Sequence, residues 1–223
     1  MPTSTVEDYL KTLYHQQQQA GGELVAMGAV AAAMGVVPGT ATSMVKALAD
    51  SGLVEYEPRG GVRLSPKGEK LALHVLRRHR LVELFLVEVL GLDWSEVDEE
   101  AEELEHAISD KVLAKIDALL GHPEVDPHGD PIPSAKGKLP ERRGGPLRSL
   151  IECEPGRPVR VARVLDQNPA FLQFVERNNL KPGTEIVVKG RDDVADAVAV
   201  HPRHHAALTL GSAAAAKILV EAV

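Results

Sequence analysis

The chain has 223 residues, enough for one large domain or two to three small ones; 44% are hydrophobic but only 3% aromatic, so any core must be built from Leu, Val, Ile and Ala. The single cysteine, Cys153, excludes an intrachain disulfide framework and a thiolate metal cluster. The formal charge of −7 argues against nucleic acid, yet residues 38–80 carry eight Lys or Arg against four acids, while residues 93–130 carry thirteen acids against two Lys.

Taken in chain order, Ser4 or Thr5 can cap a first helix with Val6, Tyr9, Leu10 and Leu13 at helical spacing. A polar tract, Gln16 to Gly22, ends it. A short helix is expected over Glu23–Ala33, a tight break at Met34-Gly35-Val36, and a third helix from about Gly39 to Asp50. Leu53–Glu57, the turn Pro58-Arg59-Gly60-Gly61 and Val62–Leu64 read as a hairpin with Arg59 and Arg63 near its tip. Two short helices joined by a glycine-containing turn and followed by a basic hairpin form the pattern of a winged helix-turn-helix. Ser65-Pro66 opens a long helix running to Leu90. A second long helix, capped by Ser95, is expected to run to about Leu120 with Val97, Ala101, Leu104 and Ile108 as its stripe. So much helical apolar surface suggests pairing with a second copy.

Residues 121–148 hold six Pro and five Gly, a linker composition. Beyond it, the strand-like runs Val159–Val164, Glu185–Val188, Val194–Val200, Ala207–Leu210 and Ile218–Val223, with a short helix over Asn168–Asn178, fit a small β-barrel. No apolar run reaches the roughly 20 residues of a membrane span, and the N-terminus lacks the basic and apolar regions of a signal peptide, so a cytoplasmic protein without a membrane partner is expected.

Glu102, Glu105 and His106 fall within one arc of about 100° on a helix, and His79 and Glu83 form an i, i+4 pair on the preceding one. Carboxylates and imidazoles on one side suit a divalent ion, but for residues taken alone an acidic solvated face is the simpler account. Asp8 can serve a capping box, Thr5-x-x-Asp8. Asp126-Pro127-His128-Gly129 adds a carboxylate and an imidazole in the linker, whereas His201, His204 and His205 read as surface residues. No phosphate loop, nucleophile elbow or Cys-His pairing occurs, so an enzyme is not expected.

The segments Thr5-Val-Glu-Asp-Tyr-Leu10, Pro38-Gly-Thr-Ala-Thr-Ser-Met-Val45, Asp50-Ser-Gly-Leu-Val54, Leu64-Ser-Pro-Lys-Gly68, Arg78-His-Arg-Leu81, Glu102-Glu-Leu-Glu-His106 and Gly129-Asp-Pro-Ile-Pro133 carry a resemblance. With them the whole chain resembles the diphtheria toxin repressor family of metal-dependent transcriptional repressors, in ligand set nearest its manganese-responsive branch. The resemblance implies a mainly α protein with a small β domain. Its parts would be a winged helix-turn-helix over residues 1–73, a helical metal-binding and dimerisation domain over 74–140, and a C-terminal SH3-like β-barrel of the FeoA type over 141–223.

It also implies a first metal site of Asp8, His79, Glu102, Glu105 and His106. In the iron-responsive branch a Met stands at the position of Asp8 and a Cys at that of Glu102; carboxylates at both point to Mn(II), then Fe(II), with Zn(II), Co(II), Ni(II) or Cd(II) able to substitute in vitro. The short manganese regulators have a Glu where this sequence has Lys11, so their closely spaced metal pair is not expected. Three-domain regulators of the streptococcal type imply instead a second site of Glu83, Asp126, His128 and, from the SH3-like domain, Asp166. The implied function is repression of metal-uptake genes by a homodimer on a palindromic operator. Pro38, Gly39, Thr40, Thr42 and Ser43 would face the major groove with Lys46 near phosphate, and Arg59 and Arg63 would contact DNA from the wing. The alternative is a winged-helix regulator that senses a small organic ligand.

Overall fold

A computed structural model describes residues 3–141 and 145–223. They form two compact units, residues 1–79 with 133–139, and residues 80–132 with 140–223.

The first unit begins with α1 (Ser4–Gln19). Its cap is Thr3, whose hydroxyl accepts from Val6 N at 3.4 Å, so the expected start at Ser4 or Thr5 lies one or two residues late and Thr5-x-x-Asp8 is not a capping box. The second helix is shorter than expected, α2 (Met27–Ala33), because the residues before it are used otherwise. Val25 exchanges both backbone hydrogen bonds with Val62, at 2.8 and 2.9 Å, and so adds an extended residue beside the hairpin. Helix α3 (Pro38–Asp50) starts with proline at its first turn, where a missing N–H costs nothing. Strands β1 (Val54–Glu57) and β2 (Gly61–Leu64) pair antiparallel with Glu55 opposite Arg63.

Leu10, Leu13, Val30, Ala41, Val45 and Val62 are fully buried in the core of this unit, each larger side chain contributing about 1.5–3 kcal/mol. Gly68 is required where the hairpin meets the next helix, since a Cβ there would run into the Leu53 carbonyl. A buried ion pair, Arg78 Nη1 to Glu7 Oε2 at 3.3 Å, links that helix to α1.

Helix α4 (Pro66–Glu88) carries the chain into the second unit. Ser65 Oγ accepts from Gly68 N at 3.1 Å at its start, as expected. The second long helix does not form as one rod. It is split into α5 (Val97–Glu105) and α6 (Asp110–Leu119), because Ser109 turns extended and its hydroxyl caps a new helix from Val112 N. Ser95 is not the cap of α5, since Asp93 Oδ1 accepts from both its backbone N–H and its hydroxyl. Val112 and Leu119, seven residues apart on α6, are 48% and 65% exposed, as are Val89 and Leu90 at 47% and 57%.

The remainder is a six-stranded antiparallel sheet. Its strands are β3 (Arg148–Ser149), β4 (Pro158–Val164), β5 (Glu185–Asp192), β6 (Ala197–Pro202), β7 (Leu208–Gly211) and β8 (Ile218–Ala222), in the order β3-β8-β4-β5-β6-β7. A 3-10 turn (Leu150–Glu152), α7 (Pro169–Arg177), capped by Asn168, and α8 (Ser212–Ala215) complete it. Strand β5 continues past Val188 through a bulge before Gly190, and β6 begins late. Asp192 Oδ1 accepts from Val194 N and Ala195 N, which makes that stretch a turn and leaves Val194 99% exposed. Among the described residues no single helix is long and apolar enough to cross a membrane.

Candidate metal centres and nucleic-acid interface

Three acidic or imidazole side chains from distant parts of the second unit converge. Glu83 lies on α4; Asp126 and His128 lie in the segment that composition marks as linker. One ligand atom of each lies within 4.8 Å of the others, and all three are buried.

The linker is ordered here by a tight loop. Asp126 Oδ1 accepts from His128 N at 2.8 Å and from Asp130 N at 2.9 Å, while Val125 and Pro131 pair as an antiparallel bridge. Gly129 has φ +86 and lies against the backbone of Ala162 and Arg163, and Val164 N donates to the His128 carbonyl at 2.9 Å. The loop is thereby pinned to β4.

His128 has a defined tautomer. Its Nε2 lies 3.0 Å from the Trp94 carbonyl oxygen, which can only accept, so Nε2 carries the proton. In the neutral ring Nδ1 then presents a lone pair. That atom is buried, has no hydrogen-bond partner and lies 3.6 Å from Glu83 Oε1. A lone pair aimed at a carboxylate repels it unless a cation stands between them or the ring is protonated. A ring N–H held by a backbone carbonyl, with the opposite nitrogen left open, is how metal-binding histidines are oriented.

The carboxylates report the same excess of negative charge. Burial first, then the neighbouring Glu83 and Asp130, pushes the Asp126 carboxyl well above its ordinary pKa, against the opposing pull of Arg80 and the Asp130 amide. Arg80 partly offsets the charge: its Nε is 3.5 Å from Asp126 Oδ2, an Nη is 3.6 Å from Asp130 Oδ1, and Nη1 donates to the Pro131 carbonyl at 2.6 Å. Arg163 forms a further ion pair with Asp130, and Gln167 Nε2 donates to Asp130 Oδ2 at 3.1 Å. One imidazole nitrogen and buried carboxylate oxygens, with no sulfur, form a donor set that fits a hard or borderline divalent ion.

Asp166 is not brought into this group. Its Oδ2 accepts from Lys217 Nζ at 2.6 Å and its Oδ1 from Asn168 N at 3.0 Å, contacts that hold its pKa below the ordinary range, the Lys217 bond most. The structure thus pairs Asp166 with Lys217 and groups only Glu83, Asp126 and His128.

A second cluster in the same unit joins Glu102 and Glu105 of α5 with His106, which caps the helix in αR conformation. Their ligand atoms also lie within 4.8 Å of one another, with His106 Nε2 3.5 Å from Glu105 Oε1. Glu105 is fully buried, on the same side of α5 as the buried Val97 and Ala101. Asp8 on α1 and His79 on α4, the other residues expected in a first site, belong to the first unit.

In that first unit α3 turns Pro38, Gly39, Thr40, Ser43 and Lys46 to solvent while Ala41, Val45 and Leu48 face the core. Thr42 is half-buried and its hydroxyl donates to the Pro38 carbonyl at 2.8 Å; Ser43 donates likewise to Gly39 at 3.0 Å. Both oxygens keep acceptor capacity toward a partner. Arg59 is exposed at the hairpin turn with φ +68, and Arg63 pairs with Glu55 at 2.6 Å.

Three family models match the chain. Residues 1–62 match the N-terminal DNA-binding domain of the iron-dependent repressors, 65–134 their metal-binding and dimerisation domain, and 148–222 the FeoA domain. The iron-dependent repressor IdeR of Mycobacterium tuberculosis is 34% identical over 161 residues, 70% of this chain and 69% of that protein. The chain belongs to the diphtheria toxin repressor family of metal-dependent transcriptional repressors.

Among solved structures, a manganese-dependent transcriptional repressor in complex with manganese is 38% identical, with TM-score 0.83 over 98% of this chain and all of that one. ScaR with bound zinc is 34% identical, with TM-score 0.76 over the full length of both. The repressor is therefore a winged-helix DNA-binding protein with a helical dimerisation domain and an SH3-like FeoA domain. Operator DNA and a second copy of the chain are its partners, and it is not an enzyme. Trp94, Arg80, Asp130 and Arg163 were not singled out from sequence. Arg80 and Asp130 do fall in two of the segments that carry the family resemblance, but nothing local marked Trp94 or Arg163.

Proposed function

We propose that the repressor is activated for operator binding by Mn(II), with Fe(II) as the second physiological candidate, and that it represses metal-uptake genes from the cytoplasm. The observation that carries the choice of ion is the donor set. Glu83, Asp126 and His128 in one group, and Glu102, Glu105 and His106 in the other, offer oxygen and imidazole nitrogen and no sulfur. Such ligation favours Mn(II) over softer ions, while Zn(II), Co(II), Ni(II) and Cd(II) remain able to occupy it in vitro.

In this reading Asp8 and His79 join Glu102, Glu105 and His106 in the first site, and Glu83, Asp126 and His128 form the second. A bound divalent cation supplies the positive charge that the converged carboxylates lack. Asp8 is carried by the DNA-binding domain (residues 1–73), and Glu102, Glu105 and His106 by the dimerisation domain (residues 74–140), with the SH3-like domain over 141–223. Residues that share one ion across two domains favour one arrangement of those domains. If DNA favours the same arrangement, metal raises DNA affinity and DNA raises metal affinity by the same factor.

Two copies present two α3 helices, which suits a palindromic operator. Pro38, Gly39, Thr40, Thr42 and Ser43 read base edges and thymine methyl groups, and Lys46, Arg59 and Arg63 contact the phosphate backbone. The test is operator binding under anaerobic conditions with Mn(II), Fe(II), Zn(II) or chelator. Tight binding with Mn(II) that chelator abolishes is expected. Equal binding with and without chelator would refute metal activation and favour a regulator that answers to an organic ligand.

A further inference from the structure

Resting on the reading of Glu83, Asp126 and His128 as a metal site, we propose that Trp94 is its positioning residue. In this role it couples occupancy of the site to the packing of the SH3-like domain. The sole tryptophan of the chain touches His128 twice. Its carbonyl accepts from Nε2 at 3.0 Å, and its indole stacks on the imidazole with centroids 5.3 Å apart and planes 27° apart. The carbonyl sets the tautomer and the ring fixes the plane, so between them they decide where the Nδ1 lone pair points.

Trp94 is in turn held by the β domain. It is 2% exposed and belongs to the same apolar core as Leu150, Val161, Leu172, Leu180 and Ile218. Lys181 Nζ lies over the indole, 4.6 Å from its centroid, where the ring face attracts the cation. Its Nε1 is buried without a hydrogen-bond partner, so the ring is seated by packing, stacking and the Lys181 cation and not by a hydrogen bond. The backbone is held separately: Asp93 Oδ1 accepts from Ser95 N at 2.8 Å and Ser95 Oγ at 2.6 Å, a turn closed around residue 94 that aims its carbonyl. The His128 main chain is fastened to the same domain through Val164 N. Ring and backbone of this ligand are thus both referenced to the β domain, although His128 lies outside it.

Two substitutions separate the ring from the turn. Trp94→Ala removes the stack, and Asp93→Ala loosens the carbonyl while leaving the indole core intact. Each is expected to weaken Mn(II) binding at the second site by about 10–100-fold, the usual effect of removing a group that orients a metal ligand. The ion bound by Glu102, Glu105 and His106 should be unchanged, which loss of fold would not spare. Trp94→Phe should restore most of the affinity, because it keeps a stacking ring and the carbonyl.

Indole emission gives an independent readout. Mn(II) should quench it in the parent and in Glu105→Ala, and should fail to do so in His128→Ala. If His128→Ala retains the full Mn(II) count per chain, no site exists at His128 and the present inference falls with it. If His128→Ala loses an ion while Trp94→Ala and Asp93→Ala both retain parental affinity, the site stands and the role of Trp94 is refuted.

Discussion

Replacing Gly129 by alanine tests whether the loop that carries Asp126 and His128 is held by its docking on β4. Two costs combine. The residue has φ +86, where a side chain costs about 1–2 kcal/mol. The new Cβ would also meet the Ala162 carbonyl and the Arg163 Cα, backbone that cannot swing aside, and such overpacking costs about 1–3 kcal/mol. A sum of about 3 kcal/mol corresponds to a melting-temperature loss on the order of 6–12 °C for a chain of this size. Gly156→Ala is the matched control: its φ is +87, but nothing lies within 4 Å of the added Cβ, so it isolates the backbone cost at about 1–2 kcal/mol. Scanning calorimetry of both variants, with Mn(II) counting, measures the difference. Gly129→Ala should melt several degrees below Gly156→Ala and lose the ion at His128, because lifting the loop off β4 moves Asp126 and His128 together. Equal melting temperatures with full metal content would refute the docking argument.

Glu105→Ala or His106→Ala should abolish metal-dependent operator binding without unfolding the protein; unchanged Mn(II) stoichiometry and affinity by calorimetric titration would remove them from the first site. Lys46→Ala and Arg59→Ala should each flatten the log–log salt dependence of operator binding by about one unit. Arg63→Ala should do so less, since that side chain already pairs with Glu55; unaltered slopes for all three would mean that α3 and the hairpin do not face DNA. The lowered pKa of Asp166, caused first by Lys217 and then by Asn168 N–H, contributes stability that is full above the unfolded value of about 3.9 and lost as pH falls through the folded value. Asp166→Asn should therefore be less stable than the parent near neutrality and converge with it in acid. A constant gap across the titration would show that the ion pair with Lys217 contributes nothing.

The chain sequence determined what depends on neighbours within a turn or a hairpin. The helix-turn-helix with its basic hairpin, the apolar stripe of α3, the proline start of α4 and the arc that gathers Glu102, Glu105 and His106 all follow from periodicity and turn chemistry. Family resemblance extended this to Asp8, Glu83, Asp126 and His128, which no local pattern ties together. Tertiary structure alone decided the rest. Val25 leaves the second helix because Val62, 37 positions along, offers it a bridge. The rod expected from Ser95 breaks at Ser109, where a side-chain cap competes with helix continuation. Asp166 pairs with Lys217, 51 positions away. The imidazole of His128 takes its orientation from Trp94 and its loop from β4, contacts that composition marked as linker. Local energies reach about four residues along a helix, whereas a buried site forms where desolvated charges from distant segments meet, and those meetings are fixed only when the core closes around them.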